Sequence, residues 1–351
     1  MKKLLLIGSE GYVGPMVLNN FSTDHEVTCF DSNWFLESKL NLVPQIQNTS
    51  KIYGDIRNSM ENVIENGKYD SVIYLAAVSN DPIGVMFAKP THEINTNSAY
   101  RVADLCKKNG VKHFIYASSC SVYGNGNGNF PVDENSKVNP LTDYSLSKYN
   151  AEVKLNELAS TDFKIGCLRF ATAAGPSTNM RYDLVVNDFI MSAITTNEIL
   201  IKSNGKPWRP IINTIDMANG FRNFINKLSN SEKKYLVANV GFNTWNFTVE
   251  EIAQNVKNIL GNKINITIDK NAPEDKRSYR VNFDLYSSML TEKIEPLVSF
   301  GKMIEETAII TQKIAELNSI GLYNSHNFKR HSVLNYHIEK GLMDNNLNWI
   351  N

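Results

Sequence analysis

The stretch Lys3-Leu4-Leu5-Leu6-Ile7-Gly8-Ser9-Glu10-Gly11-Tyr12-Val13-Gly14 decides the fold. An apolar run this short, stopped by glycine, reads as a buried strand, and the sequence after Gly14 opens a helix. Glycine is required at such a junction for three reasons: the turn is tight, the backbone must approach a pyrophosphate closely, and the helix must pack against the strand. The helix N-terminus then presents unpaired N–H groups and a positive dipole end to phosphate. Gly8, Gly11 and Gly14, with Tyr12 and Val13 between them, are therefore expected to hold a dinucleotide.

Outward from this loop, Glu26–Phe30, Lys51–Tyr53, Ser71–Leu75, Lys112–Ala117 and Lys164–Leu168 also read as buried strands. They are short, rich in Val, Ile, Leu and aromatics, and bounded by turn residues. Stretches such as Thr91–Lys108 lie between them, with Ile94, Ala99, Val102, Ala103 and Leu105 near helical spacing. Strand–helix alternation implies a parallel sheet covered on both faces, because parallel strands need crossovers. The expected architecture is α/β, a Rossmann-type doubly wound sheet over residues 1–175 with a smaller C-terminal substrate-binding lobe. After about residue 175 the rhythm breaks. Tyr182–Thr195, Ile215–Leu228, Thr248–Leu260 and Met303–Leu317 predict helices, and Glu198–Lys202 and Ile264–Ile268 predict strands. Residues 176–320 are assigned mainly to the lobe, with 205–240 returning to the first domain. Asn125–Asn129 is a Gly/Asn-rich loop. The tail, 321–351, is polar with an amphipathic piece around Val333–Leu342, and its sequence assigns it no role.

Composition narrows the class. Lys+Arg and Asp+Glu both total 36, so the net charge is zero and no general attraction to nucleic acid or an anionic membrane is expected. The N-terminal apolar run is too short for a signal-peptide core, and no stretch approaches a membrane span. Cys29, Cys106, Cys120 and Cys167 show neither metal-type pairing nor a disulfide framework. A cytoplasmic, metal-free protein is expected.

Two further patterns carry chemistry. The second strand ends at Asp31, close to the offset of about 20 residues at which an acid holds a ribose 2′-OH. A carboxylate there repels a 2′-phosphate, which favours NAD over NADP; the alternative is a turn-former before Ser32-Asn33. Asp55 and Ile56, after the third strand, are placed beside the adenine. Later, Tyr144 and Lys148 lie four apart at the start of a helix, hence on one face. A phenol titrates near about 10 and is a poor base at neutral pH, but a nearby ammonium favours its phenolate. That suits a proton acceptor for an alcohol losing hydride. The strand Lys112–Ala117 runs into Ser118-Ser119-Cys120-Ser121-Val122-Tyr123-Gly124, which sets a hydroxyl where open sheets bind ligands.

The Gly-x-x-Gly-x-x-Gly spacing and these segments resemble the extended short-chain dehydrogenase/reductase group, the NAD-dependent epimerase/dehydratase family. Ser118–Gly124 is similar to that family's Ser-Ser-Ser-x-x-Val-Tyr-Gly motif. The resemblance implies a Ser119–Tyr144–Lys148 triad, with Tyr144 exchanging the proton, Ser119 holding the reacting oxygen, and Lys148 binding the nicotinamide ribose. Leu75-Ala76-Ala77 with Ser79 resembles the family's fourth-strand segment beside the cofactor and substrate, and Asn95 a structural helix asparagine. Leu168-Arg169-Phe170 resembles the sixth strand, with Thr172 where asparagine is usual. Trp208-Arg209 through Asp216 resembles Arg-x-x-x-His-Val-x-Asp, with Asn213 replacing the histidine. Arg209 is then expected at a nucleotide diphosphate, and Arg181, Asn187 and Arg277 are further substrate candidates.

The resemblance covers roughly Lys2 to Gly321 and implies a nucleotide-sugar enzyme, dimeric through Thr91–Lys108 and Tyr144–Leu158. The leading expectation is an epimerase that transiently oxidises C4; the alternative is a 4-ketosugar reductase. A dinucleotide sensor that had lost catalysis would not need the triad. A 4,6-dehydratase of this family would carry Asp-Glu where Cys120 and Ser121 stand, although Cys120 keeps a place among the candidate substrate contacts.

Overall fold

The computed structural model describes residues 1–40, 49–126, 130–269, 271, 275–290, 295–319 and 325–350. The end of the Gly/Asn-rich loop, 127–129, and the start of the tail, 321–324, lie outside them. The strands are β1 (Lys2–Ile7), β2 (His25–Asp31), β3 (Thr49–Tyr53), β4 (Ser71–Tyr74), β5 (His113–Ser119), β6 (Lys164–Phe170), β7 (Thr172–Ala174), β8 (Glu198–Ile201), β9 (Trp208–Asn213), β10 (Tyr235–Val240), β11 (Asn246–Thr248) and β12 (Asn265–Ile268).

Seven of them form one parallel sheet in the order β3-β2-β1-β4-β5-β6-β10. The order reverses between β1 and β4, where Ile7 pairs with Tyr74, and doubly wound sheets open a crevice at that point. The continuous apolar runs have a simple cause. Leu4 and Leu6 of β1 enter one core with Val27, Ile73 and Ile115, while Leu5 and Ile7 enter the other with Phe30, Val72 and Phe114. Alternate side chains point to opposite faces, so a strand covered on both must be apolar throughout. Helices Gly14–Phe21 and Thr214–Ser229 pack together on one face, and Ala99–Lys108 and Asp143–Leu158 on the other.

The structure corrects several expectations. β3 is an edge strand, and its Ile52 and Tyr53 are exposed rather than buried, since among the described residues no strand pairs with it on the outer side. β5 runs two residues further than expected, so Ser119 is its last residue. Thr91–Lys108 is interrupted by a π-type turn at Glu93–Ser98. The helix expected from Tyr182 begins at Val185, because Tyr182 is held back by its hydroxyl's hydrogen bond to Thr311 Oγ1 at 2.9 Å. Beyond β6, helices Val185–Thr196, Val249–Leu260 and Phe300–Ser319 pack on one another beside the parallel pair β8–β12. β9 pairs with β7 and β11, and β10 rejoins the main sheet. The tail is not a loose end: helix Arg330–Glu339 docks on the loop after β2.

Candidate active site

A cavity of about 450 Å³ opens at the sheet's reversal point. One of its ends is made by the glycine loop. A Cβ on Gly8 would lie 2.5 Å from the Ala76 nitrogen, and one on Gly14 would lie 2.2 Å from the Ser9 oxygen. The fold itself therefore needs both glycines. Gly11 differs, since a Cβ there would meet only the Gly8 oxygen, at 3.3 Å, and its bare backbone lines the cavity. That is the opening a close-lying pyrophosphate requires. Helix Gly14–Phe21 begins without a side-chain cap, which leaves its N-terminus to a ligand. Asn179 Nδ2 donates to the Glu10 oxygen at 2.5 Å and Ser177 Oγ to the Tyr12 oxygen at 2.7 Å, bracing the loop from behind.

Asp31, the last residue of β2, lines the same end. Its carboxylate accepts the Glu10 N–H at 2.9 Å and the Asn33 N–H at 2.8 Å. Burial pushes its pKa up, and those two donors oppose the rise. Asp55 and Ile56 also line the wall, and the Asp55 carboxylate is held by Arg57 at 2.5 Å.

Ser119, Tyr144 and Lys148, the expected triad, line the same cavity. Thr142 and Ser145 form a reciprocal capping box that starts helix Asp143–Leu158. This puts Tyr144 in the first turn and Lys148 one turn later. Gly84 lets a neighbouring helix approach closely, since a Cβ there would sit 3.0 Å from the Tyr144 nitrogen. Ser119 ends β5 and accepts the Ser121 N–H at 3.1 Å. Lys148 Nζ donates to the Ala117 carbonyl at 2.7 Å and lies 5.8 Å from the Tyr144 ring centroid. The Tyr144 pKa moves up, not down as expected. Burial pushes the phenol up to about 12 against a hydrogen bond with Ser119, and pushes Lys148 down to about 7. Desolvation is the leading cause of both shifts. Asn95, in the π-type turn, bonds both backbone groups of Val78 and the Ser147 hydroxyl, clipping the Leu75–Ser79 segment to the catalytic helix.

The three candidate arginines are each paired with a carboxylate. Arg181 holds Asp183 at 2.9 Å and donates to Ser79 Oγ at 2.8 Å. Arg209 pairs with Asp275 at 2.6 Å, while Arg277 bridges Asp275 and Asp81. All three arginines line the cavity, as do Ser79, Thr172, Leu75, Ala76 and Ala77.

Two of the expected substrate residues do not reach it. Cys120 points its thiol at the Arg169 carbonyl, 3.0 Å away in the core, and burial raises its pKa well above the usual thiol value. Asn187 is fully buried and spends its amide on the Tyr12 hydroxyl and the Arg181 carbonyl, each at 2.9 Å, and on the Gly175 N–H. Residues that sequence reasoning missed include Asp81 and Asp183, which neutralise the arginines, and Arg330, which arrives from the tail. Asp183 stands two residues after Arg181, a spacing that signalled nothing; Arg330 had no local signal at all.

This arrangement defines a dinucleotide-dependent enzyme of the extended short-chain dehydrogenase/reductase type. A model described as the NAD dependent epimerase/dehydratase family matches residues 4–241, and the chain belongs to that family, with NAD as its cofactor. The chain is 31% identical over 157 residues to N-acetyl-alpha-D-glucosaminyl-diphospho-ditrans,octacis-undecaprenol 4-epimerase of Escherichia coli O157:H7, spanning 44% of this chain and 43% of that one. Among solved structures it resembles the UDP-N-acetylglucosamine 4-epimerase of Methanobrevibacter ruminantium M1 (TM-score 0.75, 21% identity, 90% of this chain and 99% of that one). It equally resembles TunA, an NAD-dependent NDP-hexosamine 5,6-dehydratase of tunicamycin biosynthesis (TM-score 0.75, 20% identity, 89% and 98%). At these identities the structural likeness is one of fold.

Proposed function

We propose that the protein is an NAD-dependent nucleotide-sugar epimerase that inverts a sugar carbon, C4, through transient oxidation. The observation that carries this reading is one cavity lined together by the glycine loop, by Ser119, Tyr144 and Lys148, and by Arg181, Arg209 and Arg277. Residues 1–175, with 205–240, hold the cofactor, and 176–320 mainly hold the nucleotide sugar. Forked guanidinium donors suit a diphosphate. The bound dinucleotide supplies a reversible hydride acceptor.

Tyr144 removes the C4 hydroxyl proton as that carbon is oxidised, and returns it when the ketone is reduced from the opposite face. Ser119 hydrogen-bonds the reacting oxygen. Lys148 holds the nicotinamide ribose and offers positive charge to the Tyr144 phenolate. The buried, high-pKa Cys120 provides no base for dehydration, which favours an epimerase over the dehydratase relatives. We assign a homodimer contact to the pair of helices at 99–108 and 143–158, where Leu146 and Val153 are exposed.

The test is to supply nucleotide sugars without external cofactor and follow products by NMR. Epimer formation with no net change in absorbance at about 340 nm, the nicotinamide band, is the expected outcome. Stoichiometric NADH consumption with a 4-keto sugar, and no activity without it, would make the enzyme a reductase.

A further inference from the structure

The tail brings a buried cation into the cavity beside the glycine loop. Arg330, the first residue of helix Arg330–Glu339, is 3% exposed and lines the cavity with Gly11 and Asp31. Its guanidinium stacks on the Phe35 ring at 3.9 Å from the centroid, and donates to Asn179 Oδ1 at 3.1 Å and Ser38 Oγ at 3.3 Å. Among the described residues no carboxylate comes within 4 Å of it, unlike Arg181, Arg209 and Arg277. A buried guanidinium without a contacting anion is costly: burial and Arg181 push its pKa down to about 9, against the opposing field of the Asp183 and Asp31 carboxylates. Asn179 also locates the group, since its other amide atom holds the Glu10 carbonyl of the glycine loop. The unpaired cation thus stands beside the loop built to receive pyrophosphate.

The rest of the tail fastens this arrangement down. His337 Nε2 bonds the Trp34 carbonyl at 2.9 Å, Trp349 Nε1 donates to the Ser32 carbonyl at 2.9 Å, and Arg57 donates to the Leu347 carbonyl at 2.9 Å. Leu334, Met343 and Leu347 share one core with Trp34. Trp34 and Phe35 line the cavity from the loop after Asp31, so the tail backs the wall that faces the adenosine half.

We infer that residues 325–350 form a strap that completes the NAD site, with Arg330 as a ligand of the cofactor's pyrophosphate. This rests on the dinucleotide reading of the cavity. A planar, forked donor that is already oriented by Phe35, Asn179 and Ser38 binds a diphosphate with little further ordering. The strap also slows cofactor departure, which suits an enzyme that reuses its own hydride.

The experiment is calorimetric titration of the full-length protein with NAD, ADP-ribose, NADP and UDP, for wild type, Arg330→Met and Arg330→Lys. Arg330→Met is expected to weaken NAD and ADP-ribose by about tenfold or more and to leave UDP unchanged, with Arg330→Lys recovering part of the loss. Unchanged NAD affinity in Arg330→Met, with normal binding in wild type, overturns the strap. So does a loss confined to NADP, which would place Arg330 at a 2′-phosphate, and so does an equal loss of UDP, which would mark general collapse. A wild-type protein that binds neither NAD nor ADP-ribose would instead overturn the dinucleotide reading itself.

Discussion

Lys148 Nζ donates to the Ala117 carbonyl at 2.7 Å, tying the second turn of the catalytic helix to the end of β5. The bond fixes an amine below Tyr144 and anchors the strand end that presents Ser119. The amine is also buried, and that burial, not the bond, is why its proton is weakly held.

This gives a pH dependence of stability for the cofactor-free protein. Burial lowers Lys148 from 10.5 to about 7, so between those values the unfolded chain binds more protons at this site than the folded one. Stability from this group therefore rises with pH across the window, and is lost as pH falls towards 7. Lys148→Met removes the effect. The variant's stability relative to wild type should be most favourable near pH 7 and decline towards pH 9, by at most about 1.4 kcal/mol per unit. Urea unfolding at both pH values reads this directly, and a constant difference would show that Lys148 is not desolvated as described.

Tyr144→Phe should fold and bind NAD as wild type does, yet lose at least ~10²-fold in turnover, the usual scale for a missing general base. Steady-state NMR assays of the purified variant suffice. Undiminished turnover would remove Tyr144 from the mechanism.

We place the adenosine ribose against Asp31, whose carboxylate would repel a 2′-phosphate, so NAD should bind more tightly than NADP, by about tenfold or more. Asp31→Ser should narrow the gap by relieving the repulsion. Equal or stronger NADP binding by wild type in calorimetry would assign Asp31 a purely structural role.

Arg169 and Glu152 form a buried pair, 2.6 Å apart, which also engages the hydroxyls of Ser118 and Tyr123. Arg169→Met leaves the Glu152 carboxylate uncompensated and should cost about 3–5 kcal/mol. Adding Glu152→Leu should recover part of that loss. Chemical denaturation of the single and double variants checks both, and a harmless single variant would contradict the burial.

Short-range rules decided much of this protein before any tertiary contact was known. Strand β1 followed by Gly8, Gly11 and Gly14 is legible because backbone conformation and packing at a strand–turn–helix junction depend on neighbouring residues. The spacing of Tyr144 and Lys148 is legible because helical periodicity puts them on one face. Other facts exist only between distant segments. Whether a buried charge is matched depends on what the fold delivers to it: Asp275 neutralises Arg209 from 66 residues away, while Arg330 meets Ser38 across 292 residues. Cys120 and Asn187 follow the same logic in reverse. Both were expected among the substrate contacts, but a side chain's direction is set by the element it packs against, and both are turned into the core. Even the sign of the Tyr144 shift was a tertiary matter, because desolvation is a property of the assembled site and not of the spacing between two residues.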